Sequence, residues 1–263
     1  MLLKPIKPKN RCICCMKFGV KMNKEHVFPQ WLIEKTGTHR TGIRWIDKII
    51  SAKACVVPIC ENCNYEFNEK LEKPVRNIFN DLESQKGISD NEAELLVRWM
   101  WKTYGIAWCI ANSSDNYTHT YNLRERALYP INNMRGSISL AISIIDTIDS
   151  SFGDAPMGFD SENEIDCIFT AGVFLKIAII VLLDFFVEEL PSNFSIYNLF
   201  SKRENFGSMK TFFPKTGFKS CVDAVGVTRI ISLKLSYLHD NLAKELLKLS
   251  LSKSPKILRD YKI

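Results

Sequence analysis

Cys12-Ile13-Cys14-Cys15 and Cys60-Glu61-Asn62-Cys63 are the two stretches that decide the fold of this chain. Each contains two cysteines separated by two residues, the spacing at which both thiolates of one turn reach the same metal ion. Two such turns complete a tetrahedron, and four thiolates suit zinc because it is borderline soft and has no geometric preference of its own. The sequence therefore predicts a structural zinc ion bound by Cys12, Cys15, Cys60 and Cys63.

The other cysteines and the first residues bear on this prediction. The chain has nine cysteines, an odd number, and Met1 to Pro5 lacks the long apolar core of a secretory signal. We therefore expect a cytoplasmic protein. In that reducing compartment, close cysteine pairs more often bind metal than form disulfides. Two alternatives stay open: Cys14 could replace a neighbour as ligand, and all these cysteines could be small buried hydrophobic residues.

Three further polar residues lie beside the cysteine pairs. Glu25-His26 stands between the pairs, and Asn64 directly follows the second. A carboxylate beside an imidazole offers a hard oxygen ligand for Mg²⁺ or Mn²⁺ and a nitrogen that can take a proton from water near neutral pH. The side-chain carbonyl of Asn64 could complete the ligand shell of that ion, or the residue could cap a helix. A Glu-His dipeptide alone is common, and it is the neighbouring cysteines that make it a candidate site.

In this combination the residues resemble the HNH endonucleases. That family has a ββα-metal fold with an Asp/Glu-His pair on a β-hairpin and a His or Asn on the following helix, often with two CxxC zinc sites. The resemblance is closest to a subgroup with an EHVxPxW segment and a CxxCN segment before a helix that ends in Leu-Glu. It covers residues 12 to 75 well, through Glu25 to Trp31, Cys60 to Asn64 and Leu71-Glu72, and Trp101-Lys102-Thr103 also looks like a segment of that subgroup.

The resemblance implies roles for the site residues. His26 would be the general base that activates water, while Glu25 and Asn64 would bind one divalent ion that stabilises charge on the phosphate and on the leaving oxygen. The middle Asn of the HNH pattern, which orients the base, falls near Cys55. A backbone carbonyl or another side chain such as Asn62 would then have to orient His26.

Glu72 is a weaker candidate. It lies eight residues beyond Asn64 on the same predicted helix, which is about two turns. We therefore expect it beside the site or on the surface, not on the ion.

The charge of the chain suits a polyanionic partner. The net charge is +6 over 263 residues, and the amino-terminal arm carries seven basic residues with no acidic residue among them: Lys4, Lys7, Lys9, Arg11, Lys17, Lys21 and Lys24. Such an arm could neutralise backbone phosphates of DNA beside the site, although a solvated basic tail is the simpler alternative.

The predicted fold class is α+β. A small zinc-stapled ββα-metal (HNH) module, residues 1–87, is followed by a larger mixed α/β carboxy-terminal domain, residues 88–263. The boundary is expected within Gln85 to Asp90, where Gly87 and Ser89 interrupt the helical pattern. The second domain would recognise DNA, a partner protein or a second copy of the chain.

Within the first module we predict helices and a pair of strands. A short helix follows Pro29 and ends at Gly37, the segments from Gly42 to Ser51 and from Lys53 to Pro58 form paired strands, and a helix begins near Asn64. That last helix carries Phe67, Leu71, Val75 and Phe79 at helical spacing, with Pro74 as a possible kink.

The second domain mixes helices and strands. Ser89 and Glu92 form a capping box that starts a helix running through Trp108. Ser137 to Ile144 alternates with a period of two and predicts a strand with one solvent-facing side. Ile165 to Phe186 predicts two strands broken near Gly172 or one buried helix, and Leu233 to Leu251 predicts an amphipathic helix.

The segment from Cys167 to Val187 is apolar enough to raise the question of a membrane span. Lys176 and Asp184 interrupt it, and a charge near the centre of a membrane helix is costly. We therefore expect no membrane span, and a structural membrane-associated protein is the least favoured function.

The sequence thus supports two functions. The first is a metal-dependent endonuclease that hydrolyses DNA, which would suit phage defence or a mobile element. The alternative is a non-catalytic zinc-ribbon module that binds nucleic acid or protein, and Cys55 is its best support.

Overall fold

The computed structural model describes residues 11–41, 43–45, 48–111, 122–132, 135–147, 157–159, 169–199 and 208–253. Helices and sheets are mixed, as predicted for an α+β chain. The strands are β1 (Met22–His26), β2 (Ile43–Trp45), β3 (Lys48–Ile50), β4 (Val56–Cys60), β5 (Ile88–Ser89), β6 (Ile138–Ile145), β7 (Met157–Phe159), β8 (Thr170–Phe174), β9 (Ile177–Leu183), β10 (Ser195–Asn198), β11 (Lys210–Phe212) and β12 (Thr216–Phe218). The α-helices are α1 (Gln30–Thr36), α2 (Thr38–Thr41), α3 (Glu61–Phe67), α4 (Lys73–Glu83), α5 (Asp90–Ala111), α6 (Leu123–Leu128) and α7 (Cys221–Lys253).

Strands β1 and β4 form the antiparallel pair that carries the Glu-His dipeptide. Glu25 lies opposite Val57, and His26 lies opposite Val56. The predicted pairing of Gly42–Ser51 with Lys53–Pro58 is wrong, because β2 and β3 pair with each other inside the first of those segments. A 3-10 turn at Ala52–Ala54 then redirects the chain, so that β4 meets β1 and buries Val57 and Ile59.

The short helix predicted after Pro29 is confirmed as α1, which comes between β1 and β4 in the sequence. It follows Pro29 directly and ends where Gly37 takes a φ of 72°, a left-handed conformation that glycine adopts without strain. The Gly37 N–H donates to the carbonyl of Glu34 and closes the helix.

Helices α3 and α4 are joined by a π-helical turn, Asn68–Glu72. α3 begins earlier than predicted because the Cys60 thiol caps it, accepting the N–H of Cys63 at 3.4 Å. The predicted apolar stripe is confirmed, since Phe67, Leu71, Val75 and Phe79 are all fully buried.

Pro74 explains the π-helical turn. A proline ring clashes with the carbonyl four residues before it, and proline has no N–H to continue the ladder. The wider turn avoids this conflict, because the N–H of Lys73 bonds to the carbonyl of Asn68. The irregularity expected at Pro74 therefore takes this form.

The capping box that starts α5 is confirmed. The Ser89 N–H donates to Glu92 Oε2 at 2.7 Å, and the Glu92 N–H donates back to Ser89 Oγ at 3.4 Å. Strand β5, just before this helix, pairs with β11.

One aromatic core joins the two sides of the predicted boundary. Trp31 packs on Phe79 with ring centroids 5.2 Å apart, Phe79 packs on Trp99 at 5.4 Å, and Trp99 packs on Phe174 at 5.0 Å. The division of the chain at residue 87 stays a prediction, and this core shows that residues on both sides of it pack together.

The largest sheet has the order β10-β6-β9-β8-β7, with β12 parallel to β6. β6 is a strand as predicted, but its expected solvent-facing side is wrong, because all eight of its residues are buried. Leu140 and Ile142 pack in the aromatic core, whereas Ala141 and Ile145 pack in a second core under α7. The serines fit because they are small, and Ser139 Oγ donates to Asp184 Oδ1 at 2.7 Å.

The apolar segment after residue 165 forms strands, one of the two predicted alternatives. The break falls at Leu175, which has a φ of 57°, and not near Gly172, which lies inside β8 opposite Ile179. Residues 165–168 lie outside the described residues. Across the described part of the chain, no helix is long and apolar enough to cross a bilayer.

The last helix, α7, starts well before the predicted Leu233. It begins at Cys221 and packs Ala224, Ile231 and Leu235 against the sheet. The side chains of the later predicted leucines, from Leu242 onward, lie outside the described residues.

Candidate metal and catalytic site

The four cysteines predicted to bind zinc come together. Their sulfur atoms all lie within 4.8 Å of one another. Cys12 Sγ is 3.8 Å from Cys63 Sγ, and Cys15 Sγ is 3.8 Å from Cys60 Sγ. A tetrahedral zinc ion with Zn–S bonds of about 2.3 Å places its sulfurs about 3.8 Å apart. Cys12, Cys15, Cys60 and Cys63, named here the four-sulfur cluster, can therefore hold one metal ion.

Backbone geometry brings the two cysteine pairs together. The first pair lies in a turn in which the Met16 N–H donates to the Cys12 carbonyl at 2.9 Å, and Met16 has a φ of 62°. The second pair lies at the end of β4 and in the first turn of α3. The N–H of Cys60 donates to Cys12 Sγ at 3.3 Å, a bond that favours the thiolate form.

The thiols nearby respond differently to this environment. Hydrogen bonds with the Cys14 and Cys63 thiols lower the pKa of Cys12 below its ordinary value. Cys14 is buried but is not one of the four converging sulfurs. Burial raises the pKa of the Cys55 thiol to about 11, and Cys55 also lies outside the cluster.

The three predicted catalytic residues line one open cleft. Asn64 Nδ2 donates to Glu25 Oε2 at 3.1 Å and to the Lys24 carbonyl at 3.2 Å, so α3 is held against β1. Glu25, His26 and Asn64 all line this cleft of about 450 Å³. The structure thus brings these residues together, while their catalytic roles stay predictions.

The sequence offered two candidates to orient His26, a backbone carbonyl or a side chain such as Asn62. The backbone carbonyl of Cys55 accepts the N–H of Val27 at 2.9 Å, and its thiol faces the carbonyl of Ser51 at 3.9 Å. Asn62 donates to Glu66 Oε2 at 2.9 Å and lines a different recess. Within the described residues, neither ring nitrogen of His26 has a hydrogen-bond partner.

A lysine that the sequence did not mark as a site residue lies directly behind the cleft. Lys102, on α5, is fully buried, and its Nζ donates to Glu25 Oε1 at 2.6 Å and to Glu72 Oε1 at 2.8 Å. Burial by itself would lower the pKa of Lys102, but the charges of Glu25 and Glu72 outweigh burial and raise that pKa above its usual value. The ammonium group is therefore charged.

Glu72 is fixed from its other side by two indole groups. Its Oε2 accepts Trp31 Nε1 at 3.2 Å and Trp99 Nε1 at 3.1 Å. The side chain is buried, not on the surface; it lines the same cleft and is joined to Glu25 through Lys102. We call these five residues, Trp31, Trp99, Glu72, Lys102 and Glu25, the Lys102 network.

One sequence signal could have found Lys102. It stands in α5 between Trp101 and Thr103, on a stretch of helix whose neighbouring side chains are almost all buried. A lysine at such a position is rarely buried unless a carboxylate pairs with it.

Several cations lie on the walls of the cleft. Lys24 comes from β1, and Lys73 and Arg76 come from α4. Lys73 pairs with Glu69 at 2.5 Å, whereas Lys24 and Arg76 have no ion-pair partner in the described part of the chain. The basic residues Lys4, Lys7 and Lys9 of the amino-terminal arm lie outside the described residues.

Comparisons of the chain with protein-family models, with curated proteins and with solved structures find no match.

Proposed function

We propose that this chain is a metal-dependent endonuclease of the HNH type that hydrolyses phosphodiester bonds of DNA. One observation carries the proposal: Glu25 and Asn64 are in contact beside His26 in a single cleft. The supporting arrangement is a strand pair followed by a helix, β1, β4 and α3, with the four-sulfur cluster at its end.

Two metal ions have distinct places in this proposal. Zinc in the four-sulfur cluster would join the turn at Cys12 to the start of α3 and stabilise the strand pair. Glu25 and Asn64 would hold Mg²⁺ or Mn²⁺, since a carboxylate and an amide carbonyl are the hard oxygen donors these ions prefer. Rotating the Asn64 side-chain amide by half a turn exchanges its oxygen and nitrogen, so that the oxygen lies where Nδ2 now contacts Glu25 Oε2. The bound divalent ion would neutralise charge on the phosphate and on the leaving oxygen.

The protein's own groups would then divide the remaining work. His26 is half-buried in the cleft, and its ring can accept a proton from the water that attacks phosphorus. The new bond joins the water oxygen to phosphorus, and the ester P–O bond on the opposite side breaks. Lys24 and Arg76 face the same space and can contact the flanking phosphates.

The test is cleavage of supercoiled plasmid and of linear DNA in Mg²⁺ or Mn²⁺. His26→Ala should lower the cleavage rate by about 100-fold or more, as expected for loss of a general base. His39→Ala is the matched control, because His39 is a half-buried histidine of the same region whose Nδ1 lies 3.5 Å from the Ile33 carbonyl. Equal cleavage by wild type and His26→Ala would contradict the proposal.

The second candidate function is a non-catalytic zinc-containing module that binds nucleic acid or protein. Both carboxylate oxygens of Glu25 are already engaged, one by Lys102 and one by Asn64, and Cys55 stands at the position of the orienting Asn. Binding of DNA without cleavage under any divalent ion would favour this alternative. A role in phage defence or in a mobile element, a cytoplasmic location, and partner binding or self-association through residues 88–263 also stay predictions.

A further inference from the structure

Lys102 is the least expected side chain of the molecule. It has no exposed surface, yet its Nζ contacts two carboxylates from within a helix packed by aromatic residues. Replacing a buried ion pair by apolar side chains of similar volume is often neutral or even stabilising. Stability alone therefore gives a weak reason for a lysine at this position.

The geometry of the Lys102 network is directed toward the cleft. The indoles of Trp31 and Trp99 hold one oxygen of Glu72, and the other oxygen holds Lys102. Lys102 in turn holds Oε1 of Glu25 and leaves Oε2 beside Asn64. Each bond limits the freedom of the next group, and the last group in the series is the half-buried carboxylate at the cleft.

The network carries one formal negative charge. Two carboxylates, Glu25 and Glu72, surround one ammonium group, so their sum is one net negative charge. Glu72 is the deeper carboxylate and is occupied by two indoles and the lysine. Both carboxylates line the cleft, but Glu25 is the one with an oxygen beside Asn64, and it is therefore the carboxylate that can meet a cation there.

We propose that Lys102 is a positioning residue: it holds the Glu25 carboxylate so that Oε2, together with Asn64, faces a divalent cation in the cleft. This inference rests on the proposed function only in taking the cleft as a divalent-ion site. Groups that orient metal ligands from behind typically change metal affinity by about 10- to 100-fold when they are removed.

The decisive variant is the charge-balanced double substitution Lys102→Met with Glu72→Gln. It removes one positive and one negative charge together, and the side-chain oxygen of Gln can still accept both indole N–H groups. Glu25 loses its anchor while the formal charge of the network stays at one negative. Glu72→Gln alone keeps the bond from Lys102 to Glu25 and is the control within the network.

The measurement is Mn²⁺ binding to the zinc-loaded full chain without DNA. The electron paramagnetic resonance signal of free Mn²⁺ reports how much of the ion is unbound. We expect the double variant to raise the Mn²⁺ dissociation constant by about 10- to 100-fold. Glu72→Gln alone should change it less, and Glu25→Gln should change it at least as much as the double variant. Leu182→Ala, in the separate core under α7, controls for general destabilisation and should leave Mn²⁺ affinity unchanged.

The outcomes separate this inference from the proposed nuclease. Unchanged Mn²⁺ affinity in the double variant would overturn the positioning role, and so would tighter binding, which would show that the ammonium group competes with the ion. Weakened Mn²⁺ binding in a chain that never cuts DNA would support the inference while the nuclease proposal fails. If wild type binds Mn²⁺ no better than Glu25→Gln, the inference is overturned together with the divalent-ion site.

Discussion

The four-sulfur cluster and the Lys102 network each include one residue of the β1–β4 strand pair, Cys60 and Glu25 respectively, but they differ in how buried charge is balanced. The cluster gathers four groups that are negative when they bind a metal, so it depends on a cation from outside the chain. The network contains its own cation, Lys102, between two carboxylates.

This difference has consequences for stability and for function. A site that needs an external ion makes folding depend on that ion, whereas a site balanced by its own side chains folds without one. The network nevertheless has one more carboxylate than ammonium groups. Substitutions in the cluster should therefore make folding lose its dependence on zinc, whereas substitutions in the network should act through buried charge that is left unpaired.

The largest expected effect comes from breaking the four-sulfur cluster. Cys60→Ser removes one ligand and the cap of α3, and we expect the bound zinc to be lost and the free energy of unfolding to fall by more than about 4 kcal/mol. The measurements are zinc per chain by elemental analysis and urea unfolding with and without a chelator.

Cys14→Ser is the matched control for that experiment. Cys14 is a buried cysteine of the same turn that is not among the four converging sulfurs, so its variant should retain the zinc. Wild-type protein that carries no zinc, or that unfolds identically after chelation, would rule out the structural zinc site.

The next largest effect is expected in the Lys102 network. Lys102→Met alone leaves Glu72 buried and uncompensated, and removing one partner of a buried pair costs about 3–5 kcal/mol. Adding Glu72→Gln should recover at least about half of this loss, because the buried charge is then removed. Urea unfolding of both variants at equal zinc content measures the difference, and no recovery in the double variant would contradict this account.

The comparison also explains what the sequence could predict. The four-sulfur cluster was predicted because two residues separate the cysteines of each pair, and the capping box at Ser89 was predicted because its partner is three residues away. Such local spacings follow from turn and helix geometry. The approach of Asn64 to Glu25 was also predicted, from the position of Asn64 directly after the second cysteine pair.

The Lys102 network was missed because its bonds join distant parts of the chain. Lys102 and Glu25 are 77 positions apart, and no local period connects them. β6 shows the same limit for burial, since a strand that alternates serine with aliphatic residues can have a solvent-facing side or can be covered on both faces. Only the positions of α7 and the aromatic core decide between them.

The smallest expected effect concerns the ion pair between Glu66 on α3 and Arg124 on α6. Arg124 Nε donates to Glu66 Oε2 at 2.9 Å, and Lys70 Nζ donates to the other oxygen at 2.7 Å. Hydrogen bonds from Lys70 and from Arg124 hold the pKa of Glu66 below its ordinary value, against the opposing effect of burial. Because the folded pKa is the lower one, this stabilisation is present above the unfolded value of about 4.3 and is lost as the pH falls through the folded value.

Arg124→Met should therefore lower the free energy of unfolding by about 1 kcal/mol or less at pH 7, since solvent and salt screen this partly exposed pair. The loss should disappear near the acid end of the titration and shrink in high salt, whereas the loss caused by Lys102→Met should persist in high salt because that pair is buried. Arg76→Met is the control, because Arg76 has no ion-pair partner in the described part of the chain and its effect should not follow the titration of Glu66. A constant loss for Arg124→Met from pH 7 into the acid range would instead assign the contribution of Arg124 to its packing on Tyr129, over which its guanidinium lies at 6.0 Å.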